Sequence, residues 1–249
     1  GVYPDPYFGV NNLAIPDSLC RTDWWYRVKF GMAENQTGHN VWLIFNGINY
    51  MAEVWLNGSR LGDIKGAFRR GEFNITGLLT SQGDNILAVH ILPPPNPGIP
   101  HEESSRSKGP GPNGGQLCLD GPTFISSEGW DWMPGIRDRN IGVWQDVRVR
   151  VTGDVKIVDP QVITDLPLPD TSSADVTVKA GLSNNSPARK QVTVRGKIGN
   201  VAFDRKVVIE PGQLATVTVA PEECSQLKFN KPRLWWPNTY GDQPLYNLT

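Results

Sequence analysis

The stretch Gly129-Trp130-Asp131-Trp132-Met133-Pro134, continuing through Arg137, Asp138, Arg139 and Asn140 to Gly142-Val143-Trp144-Gln145, concentrates the chemistry of this chain. Each indole N–H needs a partner when buried, so three tryptophans around one carboxylate are more than a core usually takes. The same set suits a sugar. A pyranose C–H face lies on an indole, while its hydroxyls donate to an acceptor such as Asp131 and accept from a forked donor such as Arg137. The other reading is a hydrophobic turn between two strands, with Asp131 capping its own backbone. Spacing alone leaves both open.

Other catalytic signatures are absent from the sequence. It holds no G-x-S-x-G elbow, no H-E-x-x-H, and no glycine-rich phosphate loop followed by a helix. Gly109 to Gly115 carries glycines without a following Lys-Ser. Glycosidic cleavage ordinarily needs two carboxyl groups facing one sugar. Glu53, Glu72, Glu102, Glu103 and Glu128 are available, but nothing pairs two of them, and most are expected to be solvated surface charges. Cys20, Cys118 and Cys224 are far apart and form no C-x-x-C or Cys/His cluster, so neither a zinc site nor any other cofactor is expected. One disulfide can form among them, with no pairing deducible. His39, His90 and His101 are scattered, and His90, inside an apolar strand pattern, reads as a satisfied core histidine.

The elements that must position such residues are strands. Among 249 residues, 26 glycines, 21 prolines and nine tryptophans point to many turns and a stock of stacking surfaces. With 24 basic against 25 acidic residues there is no electrostatic footprint for nucleic acid or a membrane surface. No apolar run is long enough to span a bilayer, and Gly1-Val2-Tyr3-Pro4 is not a signal peptide, so either the mature chain begins there or the sequence has been cut. The length suits two sandwich domains better than one.

Alternation places a strand at Trp24 to Phe30, followed by an apolar run at Val41 to Phe45 and another strand at Ala52 to Leu56. Asn57-Gly58 then marks a hairpin turn returning through Arg60 to Ile64. Phe73 to Thr76 precedes a short Leu78-Leu79 segment, and Asn85 to Leu92 is another strand. From Pro93 to Ser127 periodicity is lost, and loops of that length inside a compact domain are usually functional or disordered. Val147, Val149 and Val151 then alternate with Arg148, Arg150 and Thr152 as a half-buried strand. Gly153 and Asp159-Pro160 place a domain boundary in the interval 153–160. Beyond it, strands at Ala174 to Leu182, Gln191 to Ile198, Val201 to Ile209, Leu214 to Val219 and near Tyr246 to Thr249 describe a disulfide-free immunoglobulin-like sandwich. No amphipathic helix of useful length is present, and the chain reads as all-β.

In order, Trp24-Trp25-Tyr26-Arg27, Ala52 to Gly58, Gly66-Ala67-Phe68, Phe73-Asn74-Ile75-Thr76 and Asn85 to Val89 resemble the N-terminal sugar-binding jelly roll of family 2 glycoside hydrolases. The Gly129 to Gln145 block resembles its closing segment. Pro232-Arg233-Leu234-Trp235-Trp236-Pro237, with Tyr240-Gly241 and Pro244-Leu245-Tyr246, resembles the end of the immunoglobulin-like domain that follows. Trp130-Asp131-Trp132 with Arg137 to Asn140 is most similar to the branch of exo-β-D-glucosaminidases and mannosylglycoprotein endo-β-mannosidases, with β-mannosidases nearby.

The resemblance implies a galactose-binding-like jelly-roll domain over residues 1–153, lacking its first strand or strands and so left with an unpaired edge, and an immunoglobulin-like β-sandwich over residues 154–249. It implies that both catalytic glutamates belong to a TIM barrel of the same polypeptide, absent from this chain, so that the fragment alone is inactive. Asp131 would then accept hydrogen bonds from sugar hydroxyls, Trp132 or Trp130 would wall the pocket, and Arg137 would bind substrate or brace the loop. The implied substrate is a β-linked glucosaminide, mannoside or galactoside, in the periplasm or outside the cell.

Two other readings compete: a free-standing carbohydrate-binding module, and an adhesion-type tandem sandwich with no sugar site. Five Asn-x-Ser/Thr sequons, at Asn35, Asn57, Asn74, Asn184 and Asn247, would matter only in a eukaryotic secretory host.

Overall fold

The structure, a computed structural model, describes residues 4–5, 8–9, 11, 16–32, 39–80, 83–96 and 141–249. These fall into two units, Gly1–Val151 and Thr152–Thr249, and both are β-sandwiches.

In the first unit, one sheet runs in the order β1 (Trp24–Phe30), β7 (Asn85–Leu92), β4 (Met51–Leu56), β5 (Ser59–Lys65). The other runs β6 (Gly71–Asn74), β2 (Asn40–Phe45), β9 (Val147–Thr152), and a short pair joins β3 (Ile48–Asn49) to β8 (Gly142–Val143). The period of two decides which residues enter the core. Val54 and Leu56 of β4, Val89 and Ile91 of β7, and Leu43 and Phe45 of β2 face inward and are nearly solvent-free. The expected hairpin forms at Asn57-Gly58, where both residues take positive φ, 49° and 82°. Asn57 also ties the hairpin down: its Nδ2 donates to the Leu78 carbonyl and to Asn85 Oδ1, and its Oδ1 accepts from the Ile86 amide.

The second unit begins with β10 (Val155–Asp165), which pairs with β11 (Ser173–Asn184). β11 also pairs with β14 (Leu214–Val219) and with β15 (Lys228–Asn230), while β12 (Lys190–Ile198) and β13 (Val201–Ile209) form a separate hairpin. Val176, Val178, Leu182, Ile198, Ile209, Val217, Val219 and Leu227 pack between the two layers. Asp159-Pro160, read from sequence as an interruption, lies inside β10 as a bulge, with Asp159 at φ 43° and the register shifting between Val158 and Gln161. A proline lacks the ladder donor, and a bulge is where a strand tolerates that loss. The strand expected near Tyr246 to Thr249 is a single bridge, Ile198 to Leu248.

The fold is all-β, and the regular helix among the described residues is limited to short 3-10 turns such as Asp17–Cys20 and Thr76–Leu78. None of the described helices is long and apolar enough to cross a membrane.

Candidate functional site

The residues singled out by chemistry, Trp130, Asp131, Trp132 and Arg137, lie outside the described residues, as do Asp138, Arg139 and Asn140. The structure does describe the anchor onto which their segment joins. At Gly142–Val143 the chain pairs with Ile48–Asn49. The Trp144 and Gln145 amides both donate to the Gly47 carbonyl, at 3.3 and 3.4 Å, and the Asn46 amide donates to Asp146 O at 3.0 Å.

The Trp144 indole is the centre of this anchor. Its Nε1–H donates to the Ala67 carbonyl at 2.8 Å, and Phe68 meets it edge to face with centroids 5.5 Å apart. The ring can lie there only because residue 47 is glycine, since a Cβ at that position would stand 2.6 Å from Nε1. Tyr26 adds a third element: its hydroxyl sits 2.7 Å from where a Cβ of Gly142 would be. Residues 141–146 are therefore held by β3, by the turn after β5 and by β1. Trp144, which the sequence counted with the other two tryptophans as a stacking surface, is a brace.

A second constellation crosses the outer face of the first sheet. Trp25, His90, Glu53 and Asp63 stand in register on β1, β7, β4 and β5. His90 Nε2 lies 2.7 Å from Asp23 Oδ2 and its Nδ1 lies 3.2 Å from Glu53 Oε2, while Trp25 stacks on the imidazole at 4.2 Å. Arg60 bonds both Glu53 and Asp63. Burial lowers the pKa of His90, but its hydrogen bonds to Asp23 and then Glu53, together with their charges, outweigh that and hold it above the ordinary histidine value. The hydrogen bond from His90 in turn lowers the pKa of Asp23. A glycosidase acid needs a raised pKa, and Asp23 is shifted the other way, so this row is a clasp and carries no acid–base pair. His90 is a satisfied histidine, as expected, but it lies on the outer face and not in the core. The signal was in the sequence: with Leu87, Val89 and Ile91 inward, period two puts His90 outward with Ala88.

Among the described residues no group of three or more His, Cys, Asp or Glu is disposed to hold a metal ion. Cys224 is a half-buried free thiol. Cys118 and the side chain of Cys20 lie outside the described residues.

A tandem pair of antiparallel sandwiches, the first carrying a long insertion between β7 and β8, defines the class. Residues 1–145 match the family model described as glycosyl hydrolase 2 galactose-binding domain-like, and residues 155–249 match that of glycosyl hydrolases family 2. The chain belongs to glycoside hydrolase family 2 and corresponds to an N-terminal portion of such enzymes.

It is similar to the exo-β-D-glucosaminidase of Streptomyces avermitilis, at 34% identity over 252 residues covering 100% of this chain and 25% of that protein. It is similar also to the mannosylglycoprotein endo-β-mannosidase of Lilium longiflorum, at 36% identity, with 98% of this chain and 26% of that protein covered. Among solved structures, the exo-chitosanase CsxA of Amycolatopsis orientalis superposes with a TM-score of 0.73 at 27% identity, over 98% of this chain and 25% of that one. The chain thus spans about a quarter of the length of these relatives.

Proposed function

We propose that residues 1–153 and 154–249 act as the sugar-binding jelly roll and the immunoglobulin-like support of a retaining β-glycosidase, completing the substrate pocket of a TIM barrel in the same polypeptide. The substrate is a β-linked glucosaminide, mannoside or galactoside. Asp131 accepts hydrogen bonds from the sugar hydroxyls of the non-reducing residue, Trp132 or Trp130 supplies a wall, and Arg137 donates to the substrate or braces the loop.

The observation that supports this reading is the anchor at Trp144. A segment rich in stacking and hydrogen-bonding groups rejoins the sheet at a point fixed by three elements, and binding groups are effective when a rigid scaffold positions them. The names of the relatives, glucosaminidase and mannosidase, support the substrate class.

The test is the full-length enzyme carrying Asp131→Ala, assayed on aryl β-glycosides of differing sugars. A charge-assisted hydrogen bond is worth about 1.5–3 kcal/mol, so kcat/KM falls roughly 10- to 100-fold for the preferred sugar. Unchanged turnover on every sugar overturns the assignment of Asp131.

A further inference from the structure

The sequon Asn74-Ile75-Thr76 begins at the last residue of β6, the edge strand of the second sheet in the first unit. Ile75 is fully buried, while Asn74 and Thr76 are exposed on either side of it. Asn74 does its structural work mainly with the oxygen of its amide. Oδ1 accepts from the Thr76 amide at 3.1 Å and from the Thr76 hydroxyl at 2.6 Å, which fixes the turn into the 3-10 segment Thr76–Leu78. Nδ2 has Asn40 Oδ1 at 3.4 Å, at the far end of hydrogen-bond range.

The other sequons are placed differently. Asn57 and Asn184 bond through both ends of their amides, and a sugar on either nitrogen would break those bonds. Asn247 is exposed, but it lies next to the isolated bridge Ile198 to Leu248 and not in a ladder. Asn35 lies outside the described residues.

Across the ladder Asn74 stands directly opposite Trp42 of β2. The Ile75 amide donates to the Val41 carbonyl at 2.9 Å, which makes Val41 and Ile75 a hydrogen-bonded pair. The adjacent pair, Trp42 and Asn74, is therefore of the non-hydrogen-bonded kind, in which side chains approach most closely, with Cβ atoms about 4.5–5.5 Å apart. Leu43 and Phe73, the next pair along, face the core, so Trp42 and Asn74 share the outer face. The indole is half-buried, and the surface it shows to solvent lies within one sugar ring of Asn74. A pyranose C–H face packs on such a ring.

We propose that Asn74 is an N-glycan acceptor of this chain in a secretory host, and that the first sugar of the glycan is seated on the Trp42 indole. In the transfer, Nδ2 attacks the anomeric carbon of a lipid-diphosphate-linked oligosaccharide held by a host oligosaccharyltransferase. The anomeric C–O bond breaks with its electron pair leaving on the diphosphate, the N–C bond forms, and the displaced Nδ2 proton passes to a base of the transferase. The turn survives the modification, because the substituted amide keeps the carbonyl oxygen to which Thr76 donates. Only the long contact to Asn40 is given up, and contact between sugar and indole replaces it. A glycan at this position requires the Trp42–Asn74 face to be open to solvent in the whole enzyme.

The full-length enzyme secreted from a eukaryotic host tests this. Peptide mass mapping finds a glycan on Asn74, and an unmodified Asn74 in the secreted, folded enzyme overturns the proposal. The seat is then read by hydrogen exchange on enzyme trimmed by an endoglycosidase that leaves one sugar. The reference without sugar is the same enzyme from a bacterial host that lacks the transferase, with Asn74→Asp, which keeps the Oδ1 acceptor, as a second one. With the sugar in place the amides of residues 40–45 and 71–76 exchange about 5-fold more slowly. Trp42→Val abolishes that difference, and Trp42→Phe, which keeps an aromatic face, retains part of it. Equal exchange with and without the sugar overturns the seat on Trp42, and so does a difference that survives Trp42→Val. Where the Trp42 variants are not secreted, a crystal structure of the trimmed parent gives the answer: a sugar ring within about 4.5 Å of the indole supports the seat, and one directed into solvent overturns it. None of these readouts depends on turnover, so they remain informative whatever Asp131→Ala does to activity.

Discussion

Trp144 and Gly47 occupy one space: the indole lies where the side chain of residue 47 would be, and its N–H reaches past to the Ala67 carbonyl at 2.8 Å. A methyl group at residue 47 would sit 2.6 Å from Nε1. Overpacking of this kind typically costs about 1–3 kcal/mol, so Gly47→Ala lowers the free energy of unfolding of the first unit, read from urea titration, by that amount. Trp144→Phe keeps the ring and loses the hydrogen bond, leaving Ala67 O to water at a cost of about 1 kcal/mol. If the indole positions the neighbouring sugar-binding segment, both variants raise KM in the full-length enzyme more than they lower kcat. Equal stability of Gly47→Ala and the parent would mean that the indole does not lie on residue 47.

The His90 clasp makes stability depend on pH, and the sign follows from the two shifts. His90 has a raised pKa, so its contribution is fully present below its ordinary value of 6.5 and is lost as pH rises through the higher folded value. Asp23 has a lowered pKa, so its contribution is present above its ordinary value of 3.8 and is lost as pH falls through the lower folded value. The clasp is therefore at full strength between 3.8 and 6.5. Urea unfolding at pH 5.5 and pH 8.5 reads the difference: His90→Gln removes about 1 kcal/mol of stability at the lower pH and much less at the higher. A loss of the same size at both values would show that the histidine acts by packing under Trp25 and not by charge.

The sequence made most of this fold legible because period-two alternation is strong where one face is buried. Trp24–Phe30, Asn85–Leu92, Val201–Ile209 and Leu214–Val219 fall where the pattern puts them. The pattern fails where pairing does not need a long apolar run. Ile48–Asn49, Gly142–Val143 and Lys228–Asn230 are too short to show a period, and β10, largely exposed, buries little of its apolar surface and has its alternation broken by the bulge at Asp159-Pro160. The clasp was hidden for another reason. Asp23, Glu53 and His90 are far apart in the chain and meet only through the register of β1, β7 and β4, which a single sequence does not fix. The segment proposed to bind sugar was visible as residue types, and its anchor was not, because nothing in Trp144 itself reveals that Gly47 makes room for it.

Among the described sequon asparagines, Asn184 and Asn57 have their amide nitrogens committed to several hydrogen bonds each. Asn184 is fully buried, its Nδ2 donating to the carbonyls of Ala188, Ile209 and Glu210, and its Oδ1 accepting from the amide and hydroxyl of Ser186. Asn57 spends its amide nitrogen on Leu78 O and Asn85 Oδ1. Neither nitrogen can carry a glycan in the folded chain. Expressed in a secretory host, the protein shows no modification at these two sites by peptide mass mapping. Asn184→Ala, which removes two amide N–H donors and the oxygen that accepts from Ser186, costs about 3 kcal/mol of stability in the second unit, taking about 1 kcal/mol for each of these three lost groups. A glycan found on Asn184 of folded protein would contradict the placement of that side chain.

The 249-residue chain by itself should not hydrolyse aryl β-glycosides. Retention requires two carboxyl groups about 5–5.5 Å apart, one a nucleophile and one an acid kept protonated by a raised pKa. Asp23, Glu53 and Asp63 are gathered around His90 and Arg60, and each is already engaged by one of these partners. His90 bonds Asp23 and Glu53, and Arg60 bonds Glu53 and Asp63. The hydrogen bond from His90 holds the Asp23 carboxyl below the usual carboxylate range, which suits a structural clasp and defeats a general acid. Incubating the purified chain with aryl β-D-glucosaminide, β-D-mannoside and β-D-galactoside over pH 4–8 should release no phenol above the buffer rate. Turnover that survives Glu53→Gln but is lost in Asp131→Ala would place a catalytic carboxyl in the segment between β7 and β8 and overturn the division of labour proposed for this enzyme.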